Sequence, residues 1–424
     1  MPKLSVIADD LTGACDTGCA GVLAGLRTMV ILDVQRSQNV DAPWADVIVY
    51  NTDSRYLPVD QAARAVAGVV ANLPKGMQRP ISPPHLVYKK IDSTLRGHPG
   101  EELAALMRAL GVTCALIVPA FPAQRRTTID GQVLVNGHPL AQTPFASEVA
   151  SGDLRSLFGG HGYPVHAISL EDVRGDKDGL AQHMAEQDGI IIADAEFDDD
   201  LQLLATAAQA CGIQVLCGSA GLAHSLLAPV PKGCKALHSS EAYRLGGPLL
   251  MIAGSRHPAT LRQIEVARAR GVAVMDVPPE FGQTSWSRSS FLKESGARLD
   301  DSDPGRNESH LIITTARLDD SPLGKHVIAQ HLGLLAADAV ERTAPGVILL
   351  TGGDVATAVC TALNAHAIEL LDELHPGIAL GRLADGPHVG LHVITKAGGF
   401  GDDETLWQLV KKIGSQMSCL VSDL

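Results

Sequence analysis

Aromatic residues make up only 4% of the chain, the eight cysteines include no CxxC pair, and no apolar run is long enough to span a bilayer. Scarce aromatics beside 46% hydrophobic residues and 42 glycines imply a core of Ala, Val, Leu and Ile. Buried parallel sheets are filled this way, which favours α/β over all-β. Cys15, Cys19, Cys114, Cys211, Cys217, Cys234, Cys360 and Cys419 are scattered, mostly within apolar runs that read as core, and suggest neither a zinc site nor a disulfide framework. Sixteen histidines show no HExxH spacing, so no protein-ligated metal is expected. Positive charge is short as well. A net charge of −13 argues against nucleic acid or an anionic membrane as the main partner, and an anionic substrate must meet a local basic pocket. The opening MPKLSVIADD reaches two aspartates before a signal-peptide apolar region forms, so a cytoplasmic location is expected. Neither GxxxxGK[ST] nor GxGxxG occurs, which excludes a P-loop enzyme and a plain dinucleotide-binding dehydrogenase.

With 424 residues, two domains are the natural division. Short apolar runs at Leu4–Ala8, Thr28–Leu32, Val47–Tyr50, Leu86–Lys89, Cys114–Val118, Gly189–Ala193 and Val215–Cys217 are separated mostly by helical lengths. That alternation predicts βα units and a mainly parallel sheet, with ligands at the C-terminal strand ends. Apolar periodicity is lost between Pro229 and Gly247, so residues 229–247 are expected to link an N-terminal domain, 1–228, to a C-terminal one, 248–424. Strands of the second domain are predicted at Leu249–Ala253, Val272–Val277, His310–Thr314, Gly346–Leu350 and His392–Thr395, with a polar insertion over Gly282–Asn307 looping out. The expected architecture is two α/β domains with mainly parallel sheets and an active site in the cleft between them.

The first strand runs into Ala8-Asp9-Asp10-Leu11-Thr12-Gly13-Ala14, two carboxylates, a hydroxyl and a glycine at one strand-to-helix turn. Capping a helix needs one Asp or Thr, so the pair points to a ligand. Asn51-Thr52-Asp53-Ser54-Arg55 brings a carboxylate and a guanidinium to the same edge; a surface ion pair is the plainer reading, a bidentate carboxylate clamp the functional one. Tyr88-Lys89-Lys90-Ile91-Asp92-Ser93-Thr94-Leu95-Arg96-Gly97 crowds three cations, one acid and two hydroxyls at a third strand end. In so acidic a chain that reads as an anion pocket rather than a solvated face. Pro119-Ala120-Phe121-Pro122, followed by Arg125-Arg126, adds a rigid loop and more positive charge.

In the second half, Ala253-Gly254-Ser255 with Thr260, then Thr351-Gly352-Gly353-Asp354-Val355-Ala356, then Lys396-Ala397-Gly398-Gly399-Phe400-Gly401 all follow predicted strands. Glycine lets backbone N–H groups approach phosphate oxygens, although a tight βα turn needs it anyway. Three such loops at one domain edge point to a nucleotide site.

Together, IADDLTGACDTG at Ile7–Gly18, NTDSR at Asn51–Arg55, KKIDSTLRG at Lys89–Gly97, PAFP at Pro119–Pro122, TGGDVA at Thr351–Ala356, PGIALG at Pro376–Gly381 and TKAGGFG at Thr395–Gly401 resemble the four-carbon acid sugar kinase family over nearly the whole chain. The resemblance implies an N-terminal domain for the sugar acid, a C-terminal domain for ATP, and transfer to the C4 hydroxyl. The D-threonate and D-erythronate kinase branch is the closer likeness, the 3-oxo-tetronate branch having a different third motif; D-threonate is the preferred substrate, with D-erythronate or a 3-oxo-tetronate the alternative. The chain departs from the family at Gln124-Arg125-Arg126, where a glycine usually precedes the arginine, at His98, where asparagine is common, and in lacking an Asp-Pro element near Phe145–Asp153.

The expected substrate ligands are Asp9, Asp10, Asp53, Arg55, Lys89, Lys90, Asp92, Ser93 and Arg96, with Arg55, Lys89 and Arg96 on the carboxylate and hydroxyls. Asp10 or Asp92 is the expected base, and Lys89 the third catalytic group. Ser255, Gly352, Gly353, Asp354, Val355, Lys396, Gly398 and Gly399 are expected to cradle ATP, with Mg²⁺ bridging its phosphates. Partners beyond these small molecules are not expected, and a homo-oligomer is left open. A sugar-acid dehydrogenase, or a non-catalytic sugar-acid sensor, would use the same anion pocket; the missing GxGxxG counts against the first, and polar groups at strand ends of both domains against the second.

Overall fold

The structure is a computed structural model that describes residues 4–34, 44–73, 85–227, 245–283, 286–296, 310–318 and 323–421. Its chain divides into two compact units, Met1–Leu237 and His238–Leu424. Most of the expected linker, 229–247, lies outside the described residues. Among the described residues no helix is long and apolar enough to cross a membrane.

In the first unit the strands are β1 Leu4–Ala8, β2 Thr28–Ile31, β3 Val47–Asn51, β4 Leu86–Lys90, β5 Cys114–Val118, β6 Arg126–Ile129, β7 Gln132–Val135, β8 His138–Pro139, β9 Val165–Ile168, β10 Gly189–Ala193 and β11 Val215–Gly218. Eight of them form a parallel array in the order β2-β3-β1-β4-β11-β5-β10-β9. β1, β2, β3 and β10 are buried throughout, which is why they read as unbroken apolar runs rather than alternating ones. The edge strand β9 is half-buried, and its sequence VHAI gives no comparable signal. β6, β7 and β8 form a separate antiparallel ribbon after the Pro119–Phe121 loop.

The second unit contains β12 Leu249–Ala253, β13 Ala273–Asp276, β14 Leu311–Thr314, β15 Val347–Thr351, β16 Ala367–His375, β17 Ile378–Leu383 and β18 His392–Lys396. Within it the order is β13-β14-β12-β15-β18-β17-β16; the first five are parallel, and β17 and β16 join antiparallel. Leu249, Met251, Ile312, Leu349, Leu380, Ile394 and Ile413 belong to one buried cluster that ties this sheet to its helices. The polar stretch expected to loop out over Gly282–Asn307 instead holds a helix, Arg288–Gly296, where it is described. Trp286 meets Phe281 edge-on at 4.8 Å, and this apolar contact anchors the start of the segment.

Candidate active site

In the first unit, Ala8 at the end of β1 lies opposite Asn51 of β3 on one side and Lys90 of β4 on the other. The chain crosses from β1 by way of β2 to β3 on one flank and then to β4 on the other. The loops after these strands therefore open at a topological switch, where α/β sheets hold ligands.

Asp10 caps the helix Leu11–Leu23 with Oδ1 accepting from the Gly13 N–H at 3.0 Å, while Oδ2 accepts from the Thr12 hydroxyl at 2.6 Å. The same Oδ1 also accepts from Arg55 Nη2 at 2.7 Å. Arg55 forks onto Asp9, Nε to Oδ2 and Nη2 to Oδ1, each at 2.9 Å. Burial alone would raise the Asp9 pKa; the charge and hydrogen bonds of Arg55, with Lys89 and Lys90 behind them, reverse this and hold the carboxyl below its usual range. Gly97 closes over this fork. At φ +90° a Cβ would be strained, and it would sit 3.3 Å from Asp9 Oδ2.

Asp92 forms a second ion pair, accepting from Arg96 Nε at 2.6 Å and Nη2 at 3.2 Å and from the Thr94 hydroxyl at 2.5 Å. Its burial favours the neutral acid, but Arg96 and Arg55 keep it ionised, well below the usual carboxylate range. Asp10 and Asp92 are thus both bound to guanidinium groups, which suits them to orient a hydroxyl as acceptors more than to remove its proton as strong bases.

The two lysines of β4 separate, because neighbouring strand residues face opposite sides of a sheet. Lys90 Nζ lies 2.8 Å from where a Gly13 Cβ would stand, on the Asp10 side. Lys89 is turned away. It is fully buried and pairs with Glu102 Oε2 at 2.8 Å, and its ammonium also donates to the Lys90 carbonyl at 2.8 Å. Glu102, on the helix Pro99–Leu110, accepts at its other oxygen from the Ser54 hydroxyl at 2.6 Å. Lys89, expected as a substrate ligand and catalytic group, thus stands in this structure as a buried internal strut paired with Glu102. Asp53 is exposed with φ +49° at the rim, and Ser93 is half-buried in the turn before Thr94.

In the second unit, Ala253 lies opposite Thr351, and Thr351 opposite Lys396, so the three glycine loops leave adjacent strand ends. Gly352 takes φ +100° as it caps the helix Gly353–Ala362, and a Cβ there would lie 3.7 Å from Ser255 Cβ. A Cβ on Gly398 would strike Ser255 Oγ, and one on Gly399 would lie 3.3 Å from His257 Nε2. Ser255, Gly352, Gly398 and Gly399 thus converge, with Gly353 and the half-buried Asp354 in the first helical turn. The absent side chains leave open backbone beside a helix N-terminus, a cradle that fits a phosphate chain.

Two of the expected nucleotide ligands are buried in this structure. Val355 is buried beneath Gly254, whose Cβ would collide with it. Lys396 is fully buried, with Nζ 3.1 Å from the Ala397 carbonyl, 3.5 Å from the Gly398 carbonyl and 3.4 Å from the Thr260 hydroxyl. It pins the loop from within, and desolvation draws its pKa down to about 8.

Comparison with known proteins adds to this geometry. A family model described as a sugar-binding N-terminal domain matches residues 4–226, and one described as a nucleotide-binding C-terminal domain matches 250–406. The chain is 37% identical to a D-threonate kinase of Salmonella typhimurium, covering 95% of this chain and 96% of that one. The chain belongs to the four-carbon acid sugar kinase family. A further member, a D-erythronate kinase of Heliobacterium modesticaldum, is 28% identical, covering 99% and 98%. A solved Salmonella typhimurium protein that carries a tRNA synthase name superposes with a TM-score of 0.78 at 21% identity over 98% of both chains, a likeness of fold.

Sequence reasoning toward this family missed several residues. Glu102 follows the third motif in a first helical turn, where an acid reads as dipole compensation. Gln263 escaped notice on the helix Pro258–Ala269; its amide donates to the Phe400 carbonyl at 3.1 Å and the Asp402 carbonyl at 2.7 Å and fixes the last glycine loop. His257, between Ser255 and Thr260, carried no motif signal.

Proposed function

We propose that the protein transfers the terminal phosphoryl group of ATP to the C4 hydroxyl of a four-carbon sugar acid, most specifically D-threonate. The N-terminal domain would hold the acid and the C-terminal domain the nucleotide. The observation that carries this reading is the pair of ion networks, Asp9–Arg55–Asp10 buried and Asp92–Arg96 half-buried, at neighbouring strand ends in a chain of net charge −13. D-threonate is preferred over D-erythronate because the threonate kinase relative is 37% identical and the erythronate kinase 28%.

Phosphoryl transfer depends on positioning and charge neutralisation more than on covalent help. Asp10 and Asp92, each fixed by a guanidinium, would accept hydrogen bonds from the substrate hydroxyls and align the one that attacks. Lys90 would offset the negative charge that gathers there. Ser255 and the amides of Gly353, Gly398 and Gly399 would bind phosphate oxygens, while the Gly352 N–H is held by the Lys396 carbonyl at 3.1 Å. Mg²⁺, with Asp354 the carboxylate nearest this cradle in sequence, would neutralise the phosphates and keep most of its own waters.

The test is incubation with ATP–Mg²⁺ and D-threonate, with phosphorus NMR of the product. Coupling of the new signal to the C4 methylene protons is the expected result. Phosphate on C2 or C3, or no phosphorylated acid, contradicts the proposal.

A further inference from the structure

Arg55 is taken by Asp9 and Asp10, Lys89 by Glu102, and Arg96 by Asp92. Arg126, close enough to Asp92 and Arg96 for their charges to act on it, differs: among the described residues it forms no ion pair, and its buried Nε has no hydrogen-bond acceptor. We propose that Arg126 receives the substrate's carboxylate and so makes the enzyme prefer an acid to the neutral polyol of the same length. This rests on the sugar-acid kinase reading and deepens it.

The side chain is held ready for that task. Its backbone exchanges two hydrogen bonds with Phe121, Phe121 N–H to the Arg126 carbonyl at 2.8 Å and Arg126 N–H to the Phe121 carbonyl at 3.1 Å. The ribbon it begins is fastened to the end of β10, where the Asp194 carboxylate accepts from the Asp130 N–H at 2.8 Å and the Gly131 N–H at 2.9 Å. The guanidinium carbon lies 5.4 Å from the centre of the Phe145 ring, a cation–π contact that holds the group in place without using a hydrogen-bond acceptor. A planar fork of donors matches a carboxylate bidentately. Burial also disfavours the Arg126 charge, so an arriving anion restores what desolvation removes. Arg125, by contrast, is exposed in the left-handed turn before it, at φ +54°.

The experiment compares wild type, Arg126→Gln and Arg126→Lys. ADP release is followed with D-threonate and with the corresponding tetritol, which carries CH₂OH in place of the carboxylate; calorimetric binding of D-threonate and thermal unfolding run in parallel. For Arg126→Gln, kcat/KM for the acid should fall about ten- to hundredfold, mostly through KM, the range expected for losing a hydrogen bond to a charged group. Activity on the tetritol should stay within about twofold, Arg126→Lys should lie between, and added methylguanidine should restore part of the acid activity of Arg126→Gln. A stable Arg126→Gln that keeps wild-type kinetics, or that loses acid and tetritol equally, overturns the proposal. If the tetritol is too poor a substrate to follow, methylguanidine rescue decides: its presence supports the assignment and its absence overturns it. If wild type binds the acid without turnover, the kinase reading fails, and calorimetry on the two variants still decides the role of Arg126. If wild type binds no acid, both readings fall.

Discussion

Arg55 and Asp9, 46 residues apart in sequence, meet as a buried two-pronged ion pair, with both N–H···O distances at 2.9 Å and the side chains 8% and 3% exposed. The loop after β3 and the loop after β1 are thereby locked together beneath the proposed substrate site. Arg55→Lys keeps the charge but loses the fork. It should lower kcat/KM for the acid at least tenfold, and Arg55→Ala, which strands two buried carboxylates, should cost about 3–5 kcal/mol of stability. Urea unfolding beside steady-state kinetics checks both; an Arg55→Lys enzyme with wild-type kinetics would contradict the role.

Gly13 has no room for a side chain. A Cβ would stand 2.5 Å from Asp10 Oδ1 and 2.8 Å from Lys90 Nζ, and Asp10 cannot retreat without giving up its cap and its Arg55 contact. Gly13→Ala should leave the fold intact, because alanine favours the helix, and reduce acid-dependent turnover by tenfold or more. Circular dichroism with the activity assay separates the two effects.

Lys89 and Glu102 are buried partners, 0% and 2% exposed at their side chains, so removing one leaves a buried charge alone. Glu102→Gln should cost about 3–5 kcal/mol, whereas Lys89→Met with Glu102→Leu should recover most of that loss. The double variant also tests the strut assignment. It should retain substantial activity; a stable but inactive double variant would return Lys89 to the catalytic set.

Lys396 sets a pH dependence. Burial lowers its pKa from 10.5 to about 8, so between those values the unfolded chain holds more protons than the folded one. Stability from this group therefore rises with pH across that window, and below about pH 8 its destabilising effect is complete. Lys396→Met should flatten the stability profile from pH 8 to 10.5 relative to wild type and weaken ATP binding by loosening the glycine loop. Parallel profiles in urea would show that the lysine is not desolvated.

Much of the fold is legible in sequence because fully buried parallel strands are unbroken apolar runs. Leu4–Ala8, Cys114–Val118, Gly189–Ala193 and Leu249–Ala253 are read to the residue, and β4 and β15 to within one or two. What escapes lacks an unbroken apolar run: β9, half-buried at an edge, and the antiparallel pair β16 and β17, where AIELLDELH in β16 mixes apolar and acidic residues over a strand with bulges. The motifs locate the site, but pairing decides what each residue does there. Consecutive lysines look equivalent until strand geometry sends them to opposite faces, and Glu102 is invisible as a partner because it lies a helical turn beyond the motif. Arg126 stands in a sequence of plain positive charge; only its partial burial in three dimensions, with an Nε that has no acceptor, separates it from the exposed Arg125.

The most direct measurement is coupled ADP release with ATP–Mg²⁺ against D-threonate, D-erythronate, their L-forms and 3-oxo-tetronates, with a control lacking acceptor. Turnover that depends on the acid and is fastest with D-threonate is the predicted result. Release that is the same without acceptor, or absent across every acid, would contradict the assignment of this chain as a D-threonate 4-kinase.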